Sequence, residues 1–181
     1  MNIIFEGSDG VGKSTLINNL VKLTGKPVIK GSSFEISEGG AEAMFEWSKA
    51  VLLNNKDVII DRFFYSNMVY GKMYDYPTMT PEQYEELNNI VNETAVVYYL
   101  TADTEVLIER ILNRGDEHIQ PEDIEKIQNA YEEIWEICKP RNLVEIDTTN
   151  NEILDIKCEI YQTIIKHDND VTYIKNEFTK E

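Results

Sequence analysis

Apolar residues fall into two alternating kinds of segment along this chain. Short, non-alternating apolar stretches at 2–6 (ending in Gly7), 27–30, 58–60 (ending at Asp61), 95–100 and 143–146 read as strands buried on both faces. Between them lie stretches with helical spacing. Residues 13–22 carry the period through Leu16, Leu20 and Leu23, and residues 41–54 continue it after a polar, glycine-containing loop at 31–40. Thr80, Pro81 and Glu82 supply an N-cap, a proline for the first helical position and an acidic first turn, opening a helix to about Asn92. Further helices are expected at 104–113, 120–137 and 151–166. The stretch after Asp61, rich in Tyr and Met, gives no element, and the polar residues after His167 stay unassigned. Non-alternating strands separated by helices require crossovers that lay helices on the sheet. The expected fold class is therefore α/β, a parallel sheet flanked by helices on both faces.

Composition narrows the partners. A chain of 181 residues with 42% hydrophobic content buries one substantial core, so a single domain over 1–181 is expected. A net charge of -16 argues against duplex nucleic acid and an anionic membrane surface as partners, because a phosphate backbone is bound by clustered Lys and Arg. Any functional anion must be held by a local positive site. Cys138 and Cys158 have no metal-ligand spacing and read as idle thiols of a reducing compartment. No run could span a bilayer, and the apolar N-terminal run is too short for a signal peptide, so the expected location is cytoplasmic.

The strongest chemical signal follows the first strand. Gly7-Ser8-Asp9-Gly10-Val11-Gly12-Lys13-Ser14 matches GxxxxGK[ST], with a strand before it and a helix after it. A chance match is expected in roughly one chain of this size in a hundred, before that context is demanded. Gly7, Gly10 and Gly12 let backbone N–H groups converge on phosphate oxygens, the helix N-terminus adds partial positive charge, and Lys13 points a full charge at the terminal phosphates. Residues from Gly7 through Asp9 and Val11 to Ser14 and Thr15 are thus the candidate ATP cradle, and the Ser14 hydroxyl is a candidate Mg2+ ligand. No DxxG occurs beyond the glycine loop itself, and Asn54-Asn55-Lys56-Asp57 misses the NKxD spacing, which argues against a GTPase.

Phe5-Glu6-Gly7-Ser8-Asp9-Gly10-Val11-Gly12-Lys13-Ser14-Thr15 resembles the FEGxDGxGKST signature of thymidylate kinases. Asp61-Arg62-Phe63 with Ser66 and Tyr70 is similar to that family's DRY..S..AY segment. Asp103-Thr104-Glu105, followed by Arg110 and Arg114-Gly115, resembles its strand, helix and lid. Deoxynucleoside kinases share much of this pattern. The resemblance implies a P-loop kinase with a small lid at about 114–120, MgATP as donor and a small nucleotide as acceptor. It implies that Asp9 reaches the acceptor's sugar 3'-hydroxyl, that Asp61 orients Mg2+ or its waters, and that Arg62 meets phosphate oxygens through paired hydrogen bonds. Ser66 and Tyr70, four apart, would line the acceptor pocket or simply pack. Arg110 and Arg114 would bring guanidinium groups over the transferring phosphoryl, or would be helix-end arginines favouring the dipole. His118 reads as an exposed lid histidine. Family members are commonly dimers, and the apolar face of the 41–54 helix is the candidate contact.

The chain departs from that pattern between Lys30 and Asp61, a region shorter than a thymidylate kinase has, with Lys30-Gly31-Ser32-Ser33 in place of REPG. The lid lacks the second arginine of a DRIE-like sequence. Phe45 and Trp47 are the aromatics placed to stack on a base, or else core residues. Deoxynucleoside kinases put a carboxylate near the end of the second strand, where Lys30 stands here. A cation there favours an ionised phosphate as acceptor over a hydroxyl that needs a general base. A deoxynucleoside monophosphate is the expected acceptor. A nucleoside served by a base such as Glu35, and a nucleotide-binding protein without catalysis, are the alternatives.

Overall fold

The computed structural model describes residues 1–31, 39–115, 120–151 and 153–178, with side chains of the last helix described as far as Lys166. Five strands, β1 (Asn2–Gly7), β2 (Val28–Lys30), β3 (Ile59–Asp61), β4 (Ala95–Thr101) and β5 (Leu143–Asp147), form one sheet in the order β2-β3-β1-β4-β5. Every pairing is parallel, with Ile3 opposite Ile59 on one side and opposite Val96 on the other. The described helices are α1 (Lys13–Thr24), α2 (Gly40–Asn54), α3 (Phe64–Tyr74), α4 (Pro81–Thr94), α5 (Thr104–Arg114), α6 (Pro121–Cys138) and α7 (Ile153–Phe178).

The parallel sheet expected from the apolar runs is observed, but only β1, β3 and β4 are buried on both faces; β2 and β5 lie at the sheet edges and are largely exposed. β1 is buried along its whole length, and Ile3, Ile4 and Phe5 are at most 1% exposed, each worth roughly 1.5–3 kcal/mol of burial. Its neighbours explain this. α1 packs on β1 and against α7, while α3 packs on β1 and against α6, and α2, α4 and α5 join that second group through α4 and α6. Thr80 caps α4 as expected: its hydroxyl accepts from the Gln83 N–H while the Gln83 side chain accepts from the Thr80 N–H.

Two elements differ from the sequence reading. α3 was not anticipated because its apolar residues are not confined to one stripe: Phe64, Tyr65, Ser66, Asn67, Val69 and Gly71 are all buried. α7 continues past His167 to Phe178, a stretch with no Gly or Pro to end a helix. The apolar face of α2, the candidate dimer contact, is used inside the chain, where Met44, Phe45, Ser48, Val51 and Leu52 are buried. No described helix is long and apolar enough to cross a membrane. Of the expected lid, Arg114 and Gly115 end α5 and Gln120 begins α6, while residues 116–119 lie outside the described residues.

Because all five strands run the same way, their carboxyl ends share one edge, and the sheet grows from β1 towards β3 on one side and β4 on the other. Open α/β sheets bind ligands above that reversal. Gly31 leaves β2 at this edge, and a Cβ built there would lie 2.1 Å from the carbonyl oxygen of Arg62 and 2.8 Å from the Phe63 ring. Only a residue without a side chain lets the two strand ends approach. Gly31→Ala is expected to destabilise the fold by roughly 1–3 kcal/mol through overpacking, read as a lower urea midpoint with an unchanged slope.

Candidate active site

The loop between β1 and α1 surrounds the start of the helix. Gly7 has φ 137°, and a Cβ there would come 2.3 Å from the Leu100 carbonyl oxygen, so only glycine lets β1 lie this close to β4 as the loop begins. Gly12 is the N-cap of α1, no side chain caps the helix, and its first turn holds no acidic residue. The N–H groups of that first turn have no partner within the helix and stay available to an anion. Above them is a cavity of about 120 Å3 lined by Asp9, Gly10, Gly12, Lys13, Ser14, Thr15, Asp61, Arg62 and Arg114. Residues from the glycine loop, the β3 end and the α5 end therefore meet in one place. Val11 belongs to the loop but is fully buried, its side chain packed at Gly7.

Two cations share one acceptor. The Lys13 ammonium donates to the carbonyl oxygens of Gly7 and Ser8, each at 2.9 Å, which leaves one of its three N–H groups uncommitted. Arg62 follows β3 with φ 59°, and this left-handed turn swings its side chain back over β1. One terminal nitrogen donates to Gly7 O at 3.0 Å and to the Tyr70 hydroxyl at 2.9 Å, and the other donates to Asp9 Oδ1 at 2.9 Å. Tyr70 donates in turn to Asp9 Oδ2 at 2.9 Å, closing a triangle. Arg62 keeps its Nε–H and one Nη2–H, the side-on pair that suits two oxygens of one phosphate.

Charge and burial set the basicities. Burial works to raise the Asp9 carboxyl, but Arg62 and then Lys13 outweigh it and hold the group below the usual aspartate range. Burial pushes the Tyr70 hydroxyl up. Lys13 is held down to about 7, first by burial and then by the Arg62 charge, against the upward pull of Asp9, Asp61 and Glu6.

The structure sorts the remaining expectations. Ser14 and Asp61 both line the cavity, one hydroxyl and one carboxylate, hard oxygen donors of the kind Mg2+ takes while keeping several waters. Among the described residues no larger cluster of His, Cys, Asp or Glu could hold a metal. Arg114 lines the cavity, but Arg110 does not. Arg110 donates to the Thr148 carbonyl at 2.7 Å and hydroxyl at 3.1 Å, tying α5 to the end of β5, with a longer contact of 3.4 Å to Gly10 O. Tyr70 is in the site, whereas Ser66 is fully buried and bonded to Glu6 and Tyr131. Phe45 is buried in the core, and the partly buried Trp47 packs on Phe63 with ring centroids 5.9 Å apart; neither lines the cavity. Lys30 is paired with Asp61 across β2 and β3 and is exposed at the same sheet edge. Glu35 and His118 lie outside the described residues.

Sequence reasoning assigned no role to Glu6. Its carboxylate is fully buried and accepts from the Phe63 N–H at 2.8 Å, the Ser66 N–H at 3.4 Å, the Ser66 hydroxyl, and the Tyr131 hydroxyl at 3.1 Å. Burial pushes its carboxyl up, and the bonds from Ser66, Phe63 and Tyr131 and the charge of Arg62 oppose this. The available signal was an acid in an otherwise apolar, doubly covered strand, a position almost never occupied without partners.

The chain is similar to known proteins over most of its length. The thymidylate kinase family model matches residues 36–160. YorR, an SPbeta prophage-derived protein of Bacillus subtilis, is 43% identical over 133 residues, which covers 73% of this chain and 80% of YorR. The crystal structure of YorR in complex with phosphorylated GDP superposes with a TM-score of 0.83 at 36% identity, over 93% of this chain and 98% of that one. The thymidylate kinase of Leptospira interrogans is 28% identical over 200 residues, covering 91% of this chain and 95% of the relative. A deoxyadenosine kinase from M. mycoides shares the fold, with a TM-score of 0.59 at 21% identity over 92% and 99% of the two chains.

The depressed Lys13 ammonium makes anion binding pH-dependent. Above about pH 7 the free protein carries a largely neutral Lys13, while a bound polyphosphate favours the charged form, so binding takes up a proton. ATP affinity is expected to fall as pH rises from about 7 to about 9. Calorimetry near pH 8 in two buffers of different ionisation enthalpy should show uptake approaching about one proton per nucleotide, absent in Lys13→Met. Heats independent of the buffer would rule out this origin.

Proposed function

The chain belongs to the thymidylate kinase family, and we propose that it moves the terminal phosphoryl group of MgATP onto the 5'-phosphate of a deoxynucleoside monophosphate, forming the diphosphate. Nucleotide phosphoryl transfer is what the family does. The acceptor is our reading, and one observation carries it: the cavity between the glycine loop and the Asp9–Arg62–Tyr70 triangle is bordered by the cations Lys13, Arg62 and Arg114.

Transfer of a phosphoryl group asks the protein mainly to position two anions in line and to stabilise charge spread over the equatorial oxygens. The free N–H groups at the start of α1 and the third N–H of Lys13 hold the donor's phosphates. The side-on face of Arg62 takes two oxygens of the acceptor phosphate or of the group in transit. Arg114 adds positive charge from the end of α5. Asp9, with Oδ2 already engaged by Tyr70 and Oδ1 by Arg62, keeps lone pairs for a sugar hydroxyl. Mg2+, held through Ser14 and Asp61, would neutralise phosphate charge and orient the leaving oxygen.

A monophosphate suits this site better than a nucleoside. A 5'-hydroxyl needs a base, and Asp9 is held low and accepts two hydrogen bonds, which makes it a weak one. An already ionised phosphate needs no base and meets several cations. The guanine nucleotide in YorR favours one particular second reading, a guanosine monophosphate as acceptor.

ADP release from MgATP, measured against the deoxynucleoside monophosphates, GMP and the matching nucleosides, separates these readings. A monophosphate is expected to be preferred, and its base names the substrate; preference for a nucleoside would reject the acceptor assignment. Arg62→Lys should lower kcat by about 10²-fold, because an ammonium cannot present the paired side-on donors. A kcat within about threefold of wild type would remove Arg62 from the chemistry.

A further inference from the structure

We propose that Glu6 is a positioning residue that sets the geometry of Arg62 by capping α3 from the neighbouring strand. This rests on the proposed role of Arg62 in phosphoryl transfer. The N-cap of α3 is Phe63, which has no side-chain oxygen, so the helix begins without a local cap. In a capping box, the N-cap side chain bonds the N–H three residues on, and a side chain at that position bonds the N-cap N–H. Here the single oxygen Oε1 of Glu6 accepts both, from Phe63 N–H at 2.8 Å and from Ser66 N–H at 3.4 Å. Glu6 Oε2 accepts from the hydroxyls of Ser66 and Tyr131, the latter at 3.1 Å. The Glu6 carboxyl group, met by four donors, therefore sits at the positive end of α3, away from water, with every bond made by a group from another element.

The capped turn is the one that carries Arg62. Arg62 immediately precedes the N-cap, is in the left-handed region at φ 59°, and donates its own N–H to Phe5 O at 2.9 Å. Tyr70, the other arm of the triangle at Asp9, lies on the same helix. Glu6 thus locks the start of α3 to β1 one residue after Phe5 and one residue before Gly7, the carbonyl that Arg62 shares with Lys13. Releasing that lock frees the helix start to shift, and Arg62 and Tyr70 move with it. The donor side should be spared, because Lys13 and the first turn of α1 are anchored by the glycine loop itself.

The test compares wild type, Glu6→Gln, Arg62→Lys and the double variant, using the acceptor that wild type uses best. Glu6→Gln keeps shape and one acceptor oxygen but removes the charge; kcat should fall about 10-fold or more while ATP affinity from equilibrium binding changes by less than about threefold. If Glu6 acts through Arg62, the double variant should be no more than about threefold worse than the poorer single variant. Losses that multiply, or a Glu6→Gln enzyme with wild-type kcat, would overturn the proposal. Ser66→Ala, which removes one hydroxyl and leaves the cap, should show the same pattern more weakly and serves if Glu6→Gln does not fold. In parallel, the Arg62 Nη–H protons, which donate to Gly7, Tyr70 and Asp9, are followed by NMR in the folded protein, where they should exchange faster in Glu6→Gln than in wild type. An unchanged Arg62 signal sinks the positioning role even where no tested acceptor turns over, an outcome that would instead count against the acceptor reading alone.

Discussion

Two adjacent residues at the end of β1, Glu6 and Gly7, hold the working edge of this protein together. Lys13 and Arg62 both lie within 3.0 Å of the Gly7 oxygen, so the two cations are no more than about 6 Å apart. At an effective dielectric of about 20 that proximity costs on the order of 3 kcal/mol. Each charge-assisted hydrogen bond to a backbone carbonyl returns roughly 1.5–3 kcal/mol. The shared carbonyl, the Ser8 carbonyl and the Asp9 carboxylate together offset the repulsion, which explains how a chain of net charge -16 keeps a small pocket bordered by cations. Glu6 does the equivalent for the helix that carries Tyr70. An unpaired buried carboxylate would cost several kcal/mol, and it is tolerated because two N–H groups and two hydroxyls meet it.

The sheet topology makes this convergence available. Parallel strands bring Gly7, Lys30 and Asp61 to the same edge, although they are far apart in sequence. Close approach between the strand ends then depends on what is missing at two positions. At Gly7 the Leu100 carbonyl occupies the space of a Cβ, and at Gly31 the Arg62 carbonyl does. The left-handed turn at Arg62 fits into the second gap. Packing and site geometry are one problem at this edge.

How legible the molecule was in its sequence depended on whether the signal was local. The central strands β1, β3 and β4 were visible because doubly buried strands are continuous apolar runs, the exposed edge strands β2 and β5 because their short apolar stretches alternate with helices, and α4 because Thr80, Pro81 and Glu82 mark its start. The glycine loop was visible because its chemistry is contiguous. α3 was not, since a helix buried on most sides has no stripe, and its cap is a glutamate fifty-seven residues earlier in the chain. Arg110 and Arg114 looked equivalent, four apart on one helix. Only the fold distinguishes them, because Thr148 comes back from β5 to take the guanidinium of Arg110 and leaves Arg114 at the cavity. Ser66 and Tyr70 separate for the same reason: Ser66 meets the inward-facing carboxylate of Glu6, and Tyr70 extends to Asp9.

The triangle of Asp9, Arg62 and Tyr70 couples two tasks that are often kept apart. In the proposed reading Asp9 meets the acceptor's sugar and Arg62 meets phosphate, yet the two side chains are bonded to one another and to the same tyrosine. An acceptor whose sugar fails to satisfy Asp9 leaves that carboxylate free to draw Arg62 and Tyr70 towards itself, and the side-on face of Arg62 turns with them. Poor recognition of the sugar would then appear as slow transfer more than as weak binding, since a small displacement of a charged donor at the reacting group has large effects on rate. The aromatic face of Tyr70, stacked 5.0 Å beneath the Arg62 guanidinium, limits how far that movement can go. Rigidity on the tyrosine side and polar competition on the aspartate side together define the tolerance of the site.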